Sequence, residues 1–338
     1  MIISYRTKRI LRNIALILLA LALVATAVWG IWFLWLERFV IYTRDGAKLN
    51  FNLWEQPAVG DAAVEPEPEG TVSIYYDDGS AAIADTELKQ LTGYYIDTAA
   101  LQKNISELQQ QIRNLPAGTP VLLDVKSSYG NSNYSSTVSD RYNSDINTQA
   151  VDELIKLLDT NGMYLIARLP AFRDYYYGWP TVPNGLLTSQ GYLWTNPQNF
   201  YWLNPTKEGT MTFLIQTVTE LRSLGFDEVV FTDFTFPDTD EIVFSGDREQ
   251  TLADAAQTLV TTCATDTFAV SFTTEPGALS LPTGRSRLYF ENVAAADAAA
   301  TAQLTGVENA AVQLVFLTEY HDTRFDVFSV LRPFSSAH

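Results

Sequence analysis

The stretch Leu221–Pro237, reading LRSLGFDEVVFTDFTFP, restricts the possible architectures more than any other part of the chain. A helical run stops at Gly225, and a largely apolar segment, Val229–Phe234, follows within a few residues. Such a segment predicts a strand buried on both faces, the condition of strands in a parallel sheet. Asp233 stands near its C-terminal end. Helix, short turn, apolar strand and a carboxylate at the exit form the repeating unit of a parallel α/β barrel, in which chemistry gathers at the C-terminal rim of the strands.

The same unit recurs along the chain. Strands are expected at Gly93–Thr98, Pro120–Lys126, Met163–Phe172, Val229–Phe234, Thr267–Thr273, Ser286–Val293, Ala310–Leu317 and Val327–Leu331. Helices are expected at Ala100–Leu115, Thr148–Thr160, Gly209–Leu224, Asp247–Cys263 and Ala294–Leu304, the first with Leu101, Ile105, Leu108 and Ile112 on one face. Those after the fifth, seventh and eighth strands look very short or missing. The spacings predict an α/β fold, a (β/α)8 TIM-type barrel over residues 93–338 with an incomplete outer ring, in preference to an open doubly wound sheet. Neither G-x-G-x-x-G nor G-x-x-x-x-G-K-[ST] occurs, so the usual cradles for nucleotide phosphates are absent and no cofactor is expected.

Three segments precede the barrel. Residues 1–13 form a basic tail expected in the cytoplasm. Residues 14–36, Ile14–Leu36, carry no charge and as a helix would extend roughly 34 Å, enough for a bilayer core of about 30 Å. Trp29, Trp32 and Trp35 crowd the far end, as interfacial aromatics do, and the basic tail directs the bulk of the chain outward. The expectation is a single-pass plasma-membrane anchor with an extracellular barrel. The rival is a cleaved signal peptide, since Ala25-Thr26-Ala27 resembles a cleavage site, although the apolar run continues past it. Residues 37–92 hold a hairpin, Phe39–Leu53, with its turn at Asp45-Gly46, an acidic proline-containing spacer, Glu65–Gly70, and a short strand, Thr71–Tyr76.

Charge narrows the partners. The first thirteen residues contribute +4 to a net charge of −17, so the rest carries about −21. A body so acidic argues against nucleic acid. The single cysteine, Cys263, excludes an intrachain disulfide, and only two histidines, His321 and His338, are present, so no metal site is expected. The oligomeric state is left open.

Five segments carry a resemblance: GYYIDTAAL, VLLDVKSSYG, GMYLIARLPAFRD, LGFDEVVFTDFTFP and YLWTNPQNFYWLNP. Over Tyr94–Tyr201 and Leu224–Pro237 the chain resembles the glycoside-hydrolase-like domain of bacterial surface proteins, related to the α-amylase-type barrels. The likeness is weak beyond residue 240. The family's fourth strand usually reads F-D-Y-x-R-F-P; aligned on Phe236-Pro237, this chain has Thr232 at the aspartate position and Thr235 at the arginine position. Asp233 lies one place along, which in a strand turns the side chain to the opposite face. Either a local bulge restores Asp233 to the rim, or the usual nucleophile is lost.

Most glycosidases place two carboxyl groups across the scissile bond, about 5–5.5 Å apart if retaining and roughly 6.5–9.5 Å if inverting. The resemblance implies Asp233 as nucleophile and Glu275, after the fifth strand, as general acid; the other reading of Glu275 is a residue of a Glu-Pro-Gly turn. Asp124 and Lys126 flank the second strand's exit, either to bind a sugar or to form a structural ion pair, and Asp97, Arg168 and Asp174 occupy comparable exits. An Arg168 network with Asp124 or Asp233 follows from the cost of leaving charges unpaired in apolar strands. Glu291, Glu319 and Asp322 complete the acidic candidates. The connection holding Trp179, Trp194, Tyr201, Trp202 and Asn204 reads either as a carbohydrate platform or as a long loop that needs aromatics to pack itself. The expected function is a membrane-anchored extracellular glycoside hydrolase-like protein acting on a polysaccharide or cell-wall glycan. The alternatives are an inactive glycan-binding barrel and a structural component of an envelope complex.

Overall fold

A computed structural model describes residues 40–43, 46–49, 87–127, 129–178 and 184–334. The expected membrane span, the acidic spacer and the strand at Thr71–Tyr76 lie outside these residues. Among the described residues no helix is long and apolar enough to cross a membrane. The chain divides into two units, Met1–Asp78 and Gly79–His338. In the first, β1 (Val40–Thr43) and β2 (Gly46–Leu49) pair antiparallel with Thr43 opposite Gly46. Gly46 therefore belongs to the second strand and not to the turn, a correction of one residue.

The second unit is a closed barrel of eight parallel strands: β3 (Thr92–Ile96), β4 (Pro120–Asp124), β5 (Tyr164–Pro170), β6 (Glu228–Thr232), β7 (Ala269–Thr273), β8 (Leu288–Glu291), β9 (Leu314–Leu317) and β10 (Ser329–Pro333). β10 closes the ring against β3. Parallel strands need crossovers, and the helices supply them: α1 (Thr98–Ile112), α2 (Thr148–Thr160), α4 (Glu208–Ser223), α5 (Arg248–Cys263) and α6 (Ala298–Thr305), with the single turns α3 (Tyr175–Gly178) and α7 (Ala310–Gln313). Residues 274–287 and 318–328, after the fifth and seventh barrel strands, contain no helix. The ring of helices is incomplete there, as the short spacings implied.

Strand periodicity sorts the core into two layers. Leu91, Leu122, Ile166, Val230, Tyr289, Val315 and Leu331 pack together inside the barrel. Their neighbours, among them Val121, Leu165, Val229, Phe231, Phe272 and Phe316, face outward onto the apolar stripes of the helices, such as Val151, Leu154 and Leu158 of α2. Three helices start on side-chain caps: Asp97, Asn147 and Asp247 accept from the amides of Ala100, Ala150 and Gln250. α4 ends because Gly225 takes φ +93°, a left-handed conformation that glycine adopts without strain, so the chain can turn directly into β6. The apolar run Ala310–Leu317 is not one strand. Its first half is the turn α7, because Ala-Ala-Val-Gln lacks the β-branched and aromatic content of Leu314–Leu317.

The N-terminal end of the barrel is closed by a polar plug. The Glu228 carboxylate, fully buried, accepts from Ser271 Oγ (2.5 Å), Tyr164 OH (2.9 Å), Tyr289 OH (3.0 Å) and the guanidinium of Arg287. Arg287 also donates to the carbonyls of Val312 and Lys89 and to the Tyr164 hydroxyl. Burial, with the Glu228 charge, pushes the Tyr164 and Tyr289 hydroxyls up, so both remain protonated donors to Glu228.

Candidate active site

A parallel barrel brings every strand exit to one face, and a large cavity, about 1000 Å³, lies there. Asp124, Lys126, Arg168, Thr232, Asp233, Glu275 and Glu291 all line it, contributed by β4, β5, β6 and β8 and by the residues just after β4, β6 and β7.

The centre of the rim is Arg168. Adjacent in register to Asp124, it donates Nε to Asp124 Oδ1 at 2.6 Å and Nη1 to Glu291 Oε1 at 2.8 Å. One guanidinium thus joins carboxylates from β4 and β8, strands on well-separated parts of the ring. Burial alone would lower the Arg168 pKa; the Asp124 and Glu291 carboxylates outweigh it and push it up. Asp124 also accepts from the Thr98 amide at 2.9 Å, which fixes the start of α1 against the rim.

Asp233 resolves the question of face. In β6, Val230 faces into the barrel and, two places along, so does Thr232, which lines the cavity; Asp233 would face outward had the strand continued. The strand stops at Thr232, and Asp233 takes φ +50°. This left-handed turn, which aspartate tolerates better than most residues, returns the carboxylate to the cavity. Asn292, the residue after β8, does the same at φ +59°. Asp233 Oδ2 lies 3.2 Å from Arg173 Nη2, so its ion pair is with Arg173 and not with Arg168. Burial raises the Asp233 pKa, Arg173 opposes this and Glu291 adds to it; the net direction is upward.

Glu275 meets both of its readings. It occupies a turn, with the Ala278 amide donating to its carbonyl at 3.0 Å and Gly277 at φ +81°, and it lines the cavity as an exposed side chain.

Several expected binders serve the framework. Asp97 caps α1 and lines a different cavity. Lys126 reaches the wall of the large cavity, but its ammonium is 2.5 Å from Asp174 Oδ2 and lies over the Phe213 ring, so the two form a buried pair. Gly130, at φ +93°, passes so close that a Cβ there would sit 2.2 Å from the Asp174 carboxylate. Asn204 accepts from the amide and hydroxyl of Thr206, closing a turn before α4. Trp194 and Trp202 are buried, donating to Glu241 Oε2 and to the Thr235 carbonyl at 2.8 Å each, and Tyr201 is buried beside Tyr175. Those three rings hold the loop together and do not line the cavity. Trp179 lies outside the described residues.

Arg173, Tyr129 and Phe200 are among the lining residues that sequence reasoning missed. Tyr129, half exposed, packs against Phe200 with ring centroids 4.4 Å apart, and the Arg173 guanidinium lies 4.9 Å from the Phe200 centroid. The flat surface at the mouth is therefore built by these rings. Phe200 belongs to the YLWTNPQNFYWLNP segment, so that stretch pointed to the right place through a different residue. Among the described residues no group of three or more His, Cys, Asp or Glu could hold a metal ion.

Comparison with known proteins places this geometry in a family. The sequence model of a family described as "Putative glycosyl hydrolase domain" matches residues 92–270. No curated protein matches the chain. Among solved structures the chain is similar to a GH36 α-galactosidase from Geobacillus stearothermophilus in complex with raffinose, with 13% identity and a TM-score of 0.52 over 75% of this chain and 40% of that one. A hypothetical protein from Ruminiclostridium thermocellum shows 19% identity and a TM-score of 0.46 over 53% of this chain and 96% of that one. A GH20 exo-β-N-acetylglucosaminidase from Vibrio harveyi, in complex with N-acetylglucosamine, shows 10% identity and a TM-score of 0.47 over 68% of this chain and 41% of that one. This chain thus spans only about two fifths of the galactosidase and of the glucosaminidase. At these identities the likeness is one of fold.

Proposed function

The chain belongs to that "Putative glycosyl hydrolase domain" family, and from this premise we propose that it cleaves glycosidic bonds in a polysaccharide or cell-wall glycan at the mouth of the barrel. The observation that carries the reading is the left-handed turn at Asp233, which brings the carboxylate into a cavity also lined by Glu275 and Glu291. In the proposed reaction Asp233, held beside Arg173, attacks the anomeric carbon. The glycosidic C–O bond breaks as Glu275 gives its proton to the leaving oxygen. Water, deprotonated by Glu275, then releases the sugar from Asp233. Arg168 holds Asp124 and Glu291 in ion pairs at the base of the site.

The test is turnover of polysaccharides by the full-length chain and by Asp233→Asn and Glu275→Gln. The reading expects loss of turnover by a factor of at least about 10² in both, with glycan affinity retained. Full turnover in either variant removes that residue from the mechanism. Glycan affinity with no turnover in the parent chain would instead make the barrel a binding module, the reading favoured by Thr232 at the family's aspartate position. The proposed setting, an extracellular barrel on a membrane anchor, rests on the uncharged run Ile14–Leu36 and the basic residues before it. Digestion of the barrel by protease added to intact cells tests that orientation.

A further inference from the structure

A second cavity, about 370 Å³, opens on the same face of the barrel. Its walls come from strand exits: Tyr95 and Asp97 at the end of β3, Glu319 and Tyr320 after β9, and Phe334 after β10. Because the strands are parallel, these exits share the rim with the large cavity. The two are neighbours across one wall. Thr98 lines the large cavity while Asp97, the preceding residue, lines the small one. The Tyr95 ring, which lines the small cavity, lies 5.9 Å from the Arg168 guanidinium, which lines the large one.

Two properties of this cavity lie beyond the proposed chemistry. Tyr320 is 79% exposed, a large ring presented to solvent at the edge of a concavity. Tyr95 and Phe334 add two further rings, the second held edge-on by Tyr94 at 5.2 Å. The charged lining is Asp97 and Glu319, with no lysine or arginine among the lining residues. Burial raises the Tyr95 hydroxyl pKa, and the Asp97 and Glu319 charges raise it further, so the phenol stays a neutral donor.

We propose that this cavity is a further sugar subsite, occupied by units of the same chain whose scissile bond lies in the large cavity, and that it accepts neutral or amino-sugar units and excludes uronic or sulfated ones. Flat rings match the C–H faces of a pyranose, and the two carboxylates accept from its hydroxyl or ammonium groups while repelling an anion. The substrate is accordingly a chain long enough to cross the Tyr95–Thr98 wall, not a single sugar. This inference rests on the glycan reading of the large cavity.

The experiment measures affinity of the full-length chain, parent and Tyr320→Ala, for short and long oligosaccharides of three kinds: neutral, amino-sugar and uronic-acid. Tyr320 is so exposed that truncation spares the fold. The expectation is that the parent binds long neutral or amino-sugar oligomers more tightly than short ones. Tyr320→Ala should lose roughly two- to tenfold on the long oligomers and nothing on the short. Glu319→Lys should let long uronic-acid oligomers bind where the parent does not. A length advantage untouched by Tyr320→Ala, or uronic-acid oligomers bound by the parent as well as neutral ones, overturns the subsite while leaving the large cavity's function intact. Binding of no oligosaccharide at all overturns both.

Discussion

Replacing Glu228 by Gln should destabilise the barrel by about 3–5 kcal/mol, the typical cost of breaking a buried ion pair by removing one partner. The structure says why the cost belongs in that range. Glu228 accepts from four donors, namely Ser271, Tyr164, Tyr289 and Arg287. The hydroxyls can rotate away from an amide nitrogen, but the guanidinium cannot. Arg287, 1% exposed, would keep its charge with no carboxylate beside it, held by the Val312 and Lys89 carbonyls and the Tyr164 hydroxyl. Against a total stability of roughly 5–15 kcal/mol this is a large fraction, and the corresponding drop in Tm is roughly 6–20 °C for a domain of this size. Thermal melting followed by circular dichroism, with urea denaturation to obtain the free energy, measures it. The double variant Glu228→Leu with Arg287→Met removes both charges and should melt above the single variant, since an apolar pair avoids the desolvation cost. The reasoning fails if Glu228→Gln melts within about 1 kcal/mol of the parent, or if the double variant loses as much as the two single changes added together.

Three further outcomes are expected. Arg173→Ala removes the cation that opposes the upward shift of Asp233, so the acid limb of the pH–rate profile should move to higher pH, with Arg173→Lys restoring part of it; an unmoved limb would show that Asp233 does not set it. Glu220 on α4 binds Tyr134, Ser136 and Thr137 of the loop after β4, and these bonds outweigh burial to hold its pKa below the ordinary value. A depressed folded pKa gives stability that is present at neutral pH and lost as pH falls through it, so Glu220→Gln should destabilise by roughly 2–3 kcal/mol at pH 7 and by less in acid, as urea titrations at both pH values would reveal. Asp97→Ala deletes the α1 cap and should cost about 1 kcal/mol in urea denaturation.

The barrel was readable in the sequence because its strands carry their signal locally. PVLLD, EVVFT and LVFL are buried on both faces, and Gly225 marks the helix end by chemistry alone. Ala310–Gln313 does not announce itself because two alanines, a valine and a glutamine show no period, and contact with β9 and β10 decides their shape. The Arg168–Asp124 pair followed from two charges at neighbouring strand exits that had to be neutralised. The partner of Asp233 did not follow, because alternation along a strand gives its direction only while the strand lasts, and φ at Asp233 is a torsion that no pattern encodes. The two readings of the aromatic loop stay open in the sequence for a similar reason. Trp194 and Trp202 have indole N–H groups that find acceptors within the loop, and nothing in composition distinguishes a ring packed inward from Tyr129 or Phe200 at the mouth.

A single guanidinium joins Asp124 and Glu291, and the Glu291 charge in turn adds to the upward shift of Asp233, so the carboxylates from three strands at this mouth are electrically linked. Removing the Glu291 charge would leave Arg168 to Asp124 alone and relieve Asp233 of a repelling neighbour. A substitution on the far side of the ring would therefore be felt at Asp233 without touching it.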